Sequence, residues 1–172
     1  MNVEVVRPPR RRRSTEEEVA YHEAGHAVVG HRLGLELVDV DTLGDGEGGH
    51  GHTNFKPPPW FRREAPLDER SRAFAEAVAT TFLAGTVAEA RRAGFDNWAE
   101  AGFDLDSLVQ DWLLLLVPAA EVGDRLRDYG AAAARLVDDP ANWAAIEKLA
   151  RVLLKRRRLT GAEALAAAAL SG

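Results

Sequence analysis

The chain has 172 residues, a length that fits one domain with a sizeable core, and 46% of them are hydrophobic, an ordinary share for a globular protein. Its net charge of −5 favours solubility and gives no global case for nucleic-acid binding. Cysteine is absent, which excludes disulfides, thiolate metal sites and cysteine nucleophiles, so any transition-metal site must use His, Asp and Glu. No stretch nears the roughly 20 apolar residues that cross a bilayer; the longest, Trp112 to Ala120, is interrupted by Pro118. No apolar segment of a secretory signal follows the basic N-terminus, so the expected location is cytoplasmic.

Residues 1–13 read as a basic flexible arm ending in RPPRRRR, and residues 14–172 as a single domain. Such an arm is either solvated or a contact for an anionic partner. A helix is predicted over 15–33. Ser14 and Thr15 are good N-caps, Glu17 and Glu18 stand three residues after them as capping-box partners, and Glu16, Glu17 and Glu18 suit the positive end of the helix dipole. Gly34 is a C-terminal stop. The helix carries His22-Glu23-Ala24-Gly25-His26, an HExxH motif. Residues i and i+4 lie on one helical face, so two neutral imidazoles there can share a Zn²⁺ ion, with Glu23 placed as general base for the attacking water. A buried His-Glu-His turn without a metal would leave polar groups in search of partners. Gly25 costs roughly 1 kcal/mol relative to Ala inside a helix, and its expected use is the close approach of another element.

Alternation in Glu36 to Leu43 predicts a strand, the glycine-rich stretch 44–51 a loop, and His52 to Phe55 a second short strand ended by Pro57-Pro58-Pro59. Together they form a β-hairpin, whose edge beside a protease site suits strand addition by an extended peptide. From Leu67 to about Ala93 the apolar residues Phe74, Ala75, Val78, Ala79, Phe82, Leu83 and Val87 make a helical stripe closed by Gly94. A loop over 95–103 precedes helices at about 105–117, 119–137, 141–157 and 161–170, with Pro118 and Pro140 at helix starts. The expected fold class is mainly α, with one small hairpin after the HExxH helix.

A catalytic zinc needs a third protein ligand. His31 misses the metzincin spacing HExxHxxGxxH by one residue, as does Gly30, and that pattern is rejected. Glu47, His50 and His52 fall in or beside the glycine-rich loop, and the acidic residues of 104–111 remain.

TEEEVAYHEAGHAVVG (15–30), GHTNFKP (51–57), SRAFAEAVATTFLAGTVAEA (71–90), FDLDSL (103–108) and IEKLARVLLKRRRLTGAEAL (146–165) occur in that order. This series resembles the peptidase part of the FtsH-type ATP-dependent zinc metalloproteases. The resemblance implies a helical metallopeptidase fold, His22, His26 and Asp104 as zinc ligands, with Asp106 as the fallback, and Glu23 as the base. It also makes Glu89 a partner for a ligand histidine, against an ion pair with Arg91 or Arg92. The family's AAA+ module and transmembrane segments have no counterpart among these residues, and no GxxxxGK[ST] occurs. The resulting expectation is an ATP-independent zinc metalloendopeptidase acting on unfolded or flexible protein segments, with a separate ATPase or adaptor as a conceivable partner. The rivals are a catalytically silent interaction module, disfavoured by the intact Glu23, and a regulatory protease cutting one protein. Nucleic-acid binding through RPPRRRR and Lys155-Arg156-Arg157-Arg158 is the least favoured.

Overall fold

A computed structural model describes residues 14–43, 51–94 and 107–170. Helix α1 (Glu16–Arg32) opens at Thr15 with a full capping box: the Glu18 amide donates to Thr15 Oγ1 at 3.2 Å, and the Thr15 amide to Glu18 Oε2 at 2.6 Å. The reciprocal pair satisfies two amides that a helix start would otherwise leave over. The residues from Glu18 to Gly30 are buried almost without a break, so α1 runs through the middle of the molecule rather than along its surface.

The chain then makes β1 (Glu36–Asp41) and β2 (His52–Lys56), the expected hairpin, paired antiparallel with a bulge between Leu37 and Asp39. Helix α2 (Glu69–Ala93) is capped by Asp68 and ends at Gly94, which takes the left-handed conformation (φ 76°) that glycine adopts without penalty. Beyond it, residues 107 and 108 are helical and Val109–Leu113 form a π-helical turn, followed by the single turn α3 (Leu114–Leu116). The regular helix expected to 117 is therefore interrupted. The π turn carries Leu113 into the core, which also takes Leu108, and lays Trp112 against Phe61 and Phe74. After a 3₁₀ turn (Ala119–Glu121) come α4 (Val122–Asp138) and α5 (Pro140–Arg156). Asp139 caps α5 by accepting from the amides of Ala141 and Asn142, and Pro140 occupies the first helical position, where no amide is missed.

The hairpin gains a third strand. β3 (Arg158–Thr160) pairs antiparallel with the far side of β1, giving the order β2-β1-β3 among the described residues. Its three residues are too short for a periodic signal; Leu159 is nevertheless fully buried. Helix α6 (Gly161–Ala168) follows at once, with a second capping box between Thr160 and Glu163. A Cβ on Gly161 would stand 2.0 Å from the Leu37 carbonyl oxygen, so only glycine lets this helix start against β1.

The mainly α-helical expectation holds. α1 packs on α2 and α5, α2 on α4, and the sheet covers one end of α1. Val28, Val29, Ile146, Leu149 and Leu153 are essentially inaccessible at the α1–α5 side of this core. Among the described residues no helix is long and apolar enough to cross a membrane.

Candidate metal centre

The buried turn of α1 that carries the HExxH motif faces α2. His22 and His26 stand edge to face, with ring centroids 4.6 Å apart, and their Nε2 atoms approach to 3.0 Å. The opposite nitrogens decide what that approach means. His26 Nδ1 lies 2.7 Å from the carbonyl oxygen of Thr81, which can only accept, so Nδ1 carries the proton. His22 Nδ1 lies 2.9 Å from Glu89 Oε2, and an ionised carboxylate likewise only accepts. In the neutral rings both Nε2 atoms then present lone pairs on the same side, the form in which imidazoles bind a metal ion. Two nitrogens bound to one tetrahedral ion at about 2.0–2.1 Å would stand about 3.3 Å apart, close to what is seen. Neutral imidazoles with Nδ1 held by a carboxylate and a backbone carbonyl are also the usual supporting arrangement of zinc histidines. The donor chemistry fits zinc.

Two glycines make this possible. A Cβ on Gly25 would stand 2.7 Å from Ala88 Cβ and 2.8 Å from the Ala84 carbonyl, so α1 and α2 touch backbone to backbone here, the close approach expected of Gly25. A Cβ on Gly85 would stand 2.4 Å from His26 Nε2 and 2.9 Å from His22 Cδ2; both imidazoles rest on the bare face of α2 at this residue. One turn earlier on α2 lies the Thr81 carbonyl that His26 reaches. Glu89, one turn later and buried, takes His22 on one oxygen and the Ser14 hydroxyl (2.7 Å) on the other. Arg91 pairs with Asp138 and Arg92 with Glu17, so of the two expectations for Glu89 the histidine contact is the one formed. Ser14, Gly85 and the Thr81 carbonyl carry no local signal that marks them as neighbours of the histidine pair, although Thr81 and Gly85 lie within residues 71–90.

Glu23, also buried, points to the hairpin. Its Oε2 accepts from Thr53 Oγ1 at 2.8 Å, and the same hydroxyl lies 3.1 Å from the Glu23 carbonyl oxygen. Gly51, at φ 115°, passes so near that a Cβ there would stand 3.0 Å from Glu23 Oε1. Tyr21 packs at a tilt against Trp143, with ring centroids 5.6 Å apart, and burial raises its phenol above the usual range.

Asp104 and Asp106 lie outside the described residues, as do Glu47 and His50. Among the described residues no group of three or more His, Asp or Glu side chains is placed to hold a metal ion. His52 turns to Asp39 on β1, at 3.4 Å. In the basic run at the end of α5, Arg156 pairs with Glu163, Arg157 with Glu16, and Arg158 with Asp39 and Asp41. Those arginines are engaged with the fold's own carboxylates.

Comparison with known proteins points the same way as the geometry. The chain is 38% identical, over 182 aligned positions covering 95% of its length, to the ATP-dependent zinc metalloprotease FtsH 1 of Symbiobacterium thermophilum. The relationship is to FtsH proteins. A second FtsH, the ATP-dependent zinc metalloprotease of Metamycoplasma arthritidis, is 38% identical over 88 residues, half of this chain. The chain spans 28% of the length of the first of these FtsH relatives and 11% of the second is aligned. No family model matches the chain.

Proposed function

We propose that residues 14–172 form a zinc metalloendopeptidase unit, with residues 1–13 as a basic arm, that hydrolyses peptide bonds in unfolded or flexible protein segments. The observation that carries the reading is the pair of imidazoles whose Nδ1 atoms are committed to Glu89 and Thr81 while their Nε2 atoms converge to 3.0 Å, beside a buried Glu23. His22 and His26 would hold Zn²⁺ together with Asp104, or Asp106 if the preceding loop is shifted. When bound, the ion supplies Lewis-acid polarisation of the scissile carbonyl and lowers the pKa of water. Glu23 takes the proton of the attacking water and hands it to the leaving amine. Glu89 and the Thr81 carbonyl hold the two imidazoles in the tautomer that presents Nε2. Strand β2, an edge strand among the described residues, runs beside Glu23 and offers an extended substrate backbone a row of peptide groups. The names of the FtsH relatives, both zinc metalloproteases, support the same chemistry. No nucleotide-binding GxxxxGK[ST] occurs in these 172 residues, and an ATPase or adaptor would deliver folded substrates.

The test is zinc stoichiometry together with cleavage of casein, for wild type and Glu23→Gln. Near-stoichiometric zinc in both and cleavage in wild type alone is expected; unchelated protein purified without metal would overturn the reading. Asp104→Asn is expected to lose zinc affinity while Asp106→Asn retains it, and the reverse would move the ligand to Asp106.

A further inference from the structure

We infer that Thr53 is a positioning residue for Glu23, so that the second strand of the hairpin, besides bordering the site, sets the direction in which the base points. This rests on the peptidase reading above. Thr53 reaches Glu23 at two places, Oε2 at 2.8 Å and the carbonyl oxygen at 3.1 Å. A threonine hydroxyl has one proton and rotates freely about its C–O bond, and the carboxylate, charged and nearer, is the better acceptor for it. The carbonyl contact shows how closely the strand is laid on the helix: one side chain of β2 lies against both ends of a residue in α1.

Thr53 is itself held in place. It pairs with Val40 in the β1–β2 register, and Val40 is fully buried. As a β-branched residue in a strand it has little χ1 freedom, so its hydroxyl is delivered from a rigid element. Two residues earlier, Gly51 brings bare backbone past the other carboxylate oxygen, where a Cβ would come within 3.0 Å of Oε1. The strand thus anchors one oxygen of Glu23 and puts no side chain of residue 51 against the other. A glutamate has three rotatable bonds, and a base that swings by an ångström loses about a hundredfold in rate. The hydrogen bond from Thr53 to Oε2 restricts that freedom.

The experiment compares Thr53→Val and Thr53→Ser with wild type. Valine keeps the β-branched shape and the strand preference but removes the hydroxyl; serine keeps the hydroxyl. Thr53→Val is expected to bind zinc with wild-type stoichiometry, to keep KM for a fluorogenic peptide within about twofold, and to lose kcat by about tenfold to a hundredfold. Thr53→Ser is expected to stay within about threefold of wild type in kcat. A Thr53→Val chain with wild-type kcat, or a Thr53→Ser chain that falls as far as Thr53→Val, overturns the assignment. A second measurement needs no activity. The melting-temperature changes of Thr53→Val and Glu23→Ala should fail to add in the double variant, by about 2–4 °C, and additivity overturns the contact. A wild-type chain that holds zinc but cleaves nothing would instead overturn the peptidase reading, while the melting cycle still decides whether Thr53 holds the carboxylate.

Discussion

Replacing Gly85 by alanine places one methyl group where the two imidazoles meet α2. The added Cβ would stand 2.4 Å from His26 Nε2, 2.5 Å from His26 Cε1 and 2.9 Å from His22 Cδ2. Carbon contacts settle at about 3.5–4.0 Å, so the His26 ring or the helix backbone must retreat by about 1 Å. Metal bonds tolerate displacements of only about 0.2 Å, and the Nδ1 bond to Thr81, already at 2.7 Å, ties the His26 ring to the same helix that pushes it. The fold itself suffers less. Overpacking by a methyl costs about 1–3 kcal/mol, offset by the roughly 1 kcal/mol that alanine gains over glycine in a helix interior. The metal-free protein should therefore lose about 0–2 kcal/mol, or up to about 8 °C of melting temperature at 2–4 °C per kcal/mol. Zinc affinity should fall by more than about a hundredfold, beyond the 10–100-fold seen when only a supporting partner is removed. Competition titration against a chromogenic chelator measures the affinity, and calorimetry with and without chelator separates it from stability. A Gly85→Ala chain that binds zinc within about threefold of wild type would refute the reasoning.

Other perturbations separate the parts of the site from the parts of the fold. Glu89→Gln, which offers His22 Nδ1 an uncharged acceptor, should weaken zinc binding by about 10–100-fold with little effect on the apo melting temperature; unchanged affinity would exclude the contact with His22 from holding the ring. Gly25→Ala meets backbone at Ala84 rather than a ring, so it should lower the melting temperature of apo and zinc-loaded protein alike, and a drop confined to the loaded form would contradict the packing described. The carboxyl of Glu163 is lowered to about 2, mainly by the Thr160 amide and then by the Arg156 guanidinium. Its contribution to stability is therefore complete above about pH 4.5, the ordinary value, and is lost as the pH falls towards 2. Chemical denaturation of wild type and Glu163→Gln should show a constant difference above that range and converging curves below it, and curves that stay parallel to pH 2 would refute the assignment. Leu153→Ala, which removes a fully buried side chain of α5, should destabilise by about 2–5 kcal/mol without changing zinc stoichiometry in the folded fraction.

Local chemistry made several elements legible in the chain itself. Thr15 and Glu18, Gly94 and Pro140 each act within a turn of their own position, so these caps and helix ends follow from neighbours alone. The i, i+4 spacing of His22 and His26 likewise puts two imidazoles on one face whatever surrounds them. What the local pattern could not hold was everything decided by contact across the chain. Which of His22, Arg91 or Arg92 engages Glu89 depends on where α2 meets α1, and that depends on two glycines, Gly25 and Gly85, separated by sixty positions. The strand Arg158–Thr160 is too short for alternation to show and exists because β1 has an open edge for it. The π turn at Val109–Leu113 answers the demand of a core for Leu108 and Leu113 and of an aromatic cluster for Trp112. Periodicity and spacing thus determined the helix, the histidine pair and the glutamate between them; long-range packing decided which partners hold the two imidazoles and the strand against which Glu23 lies.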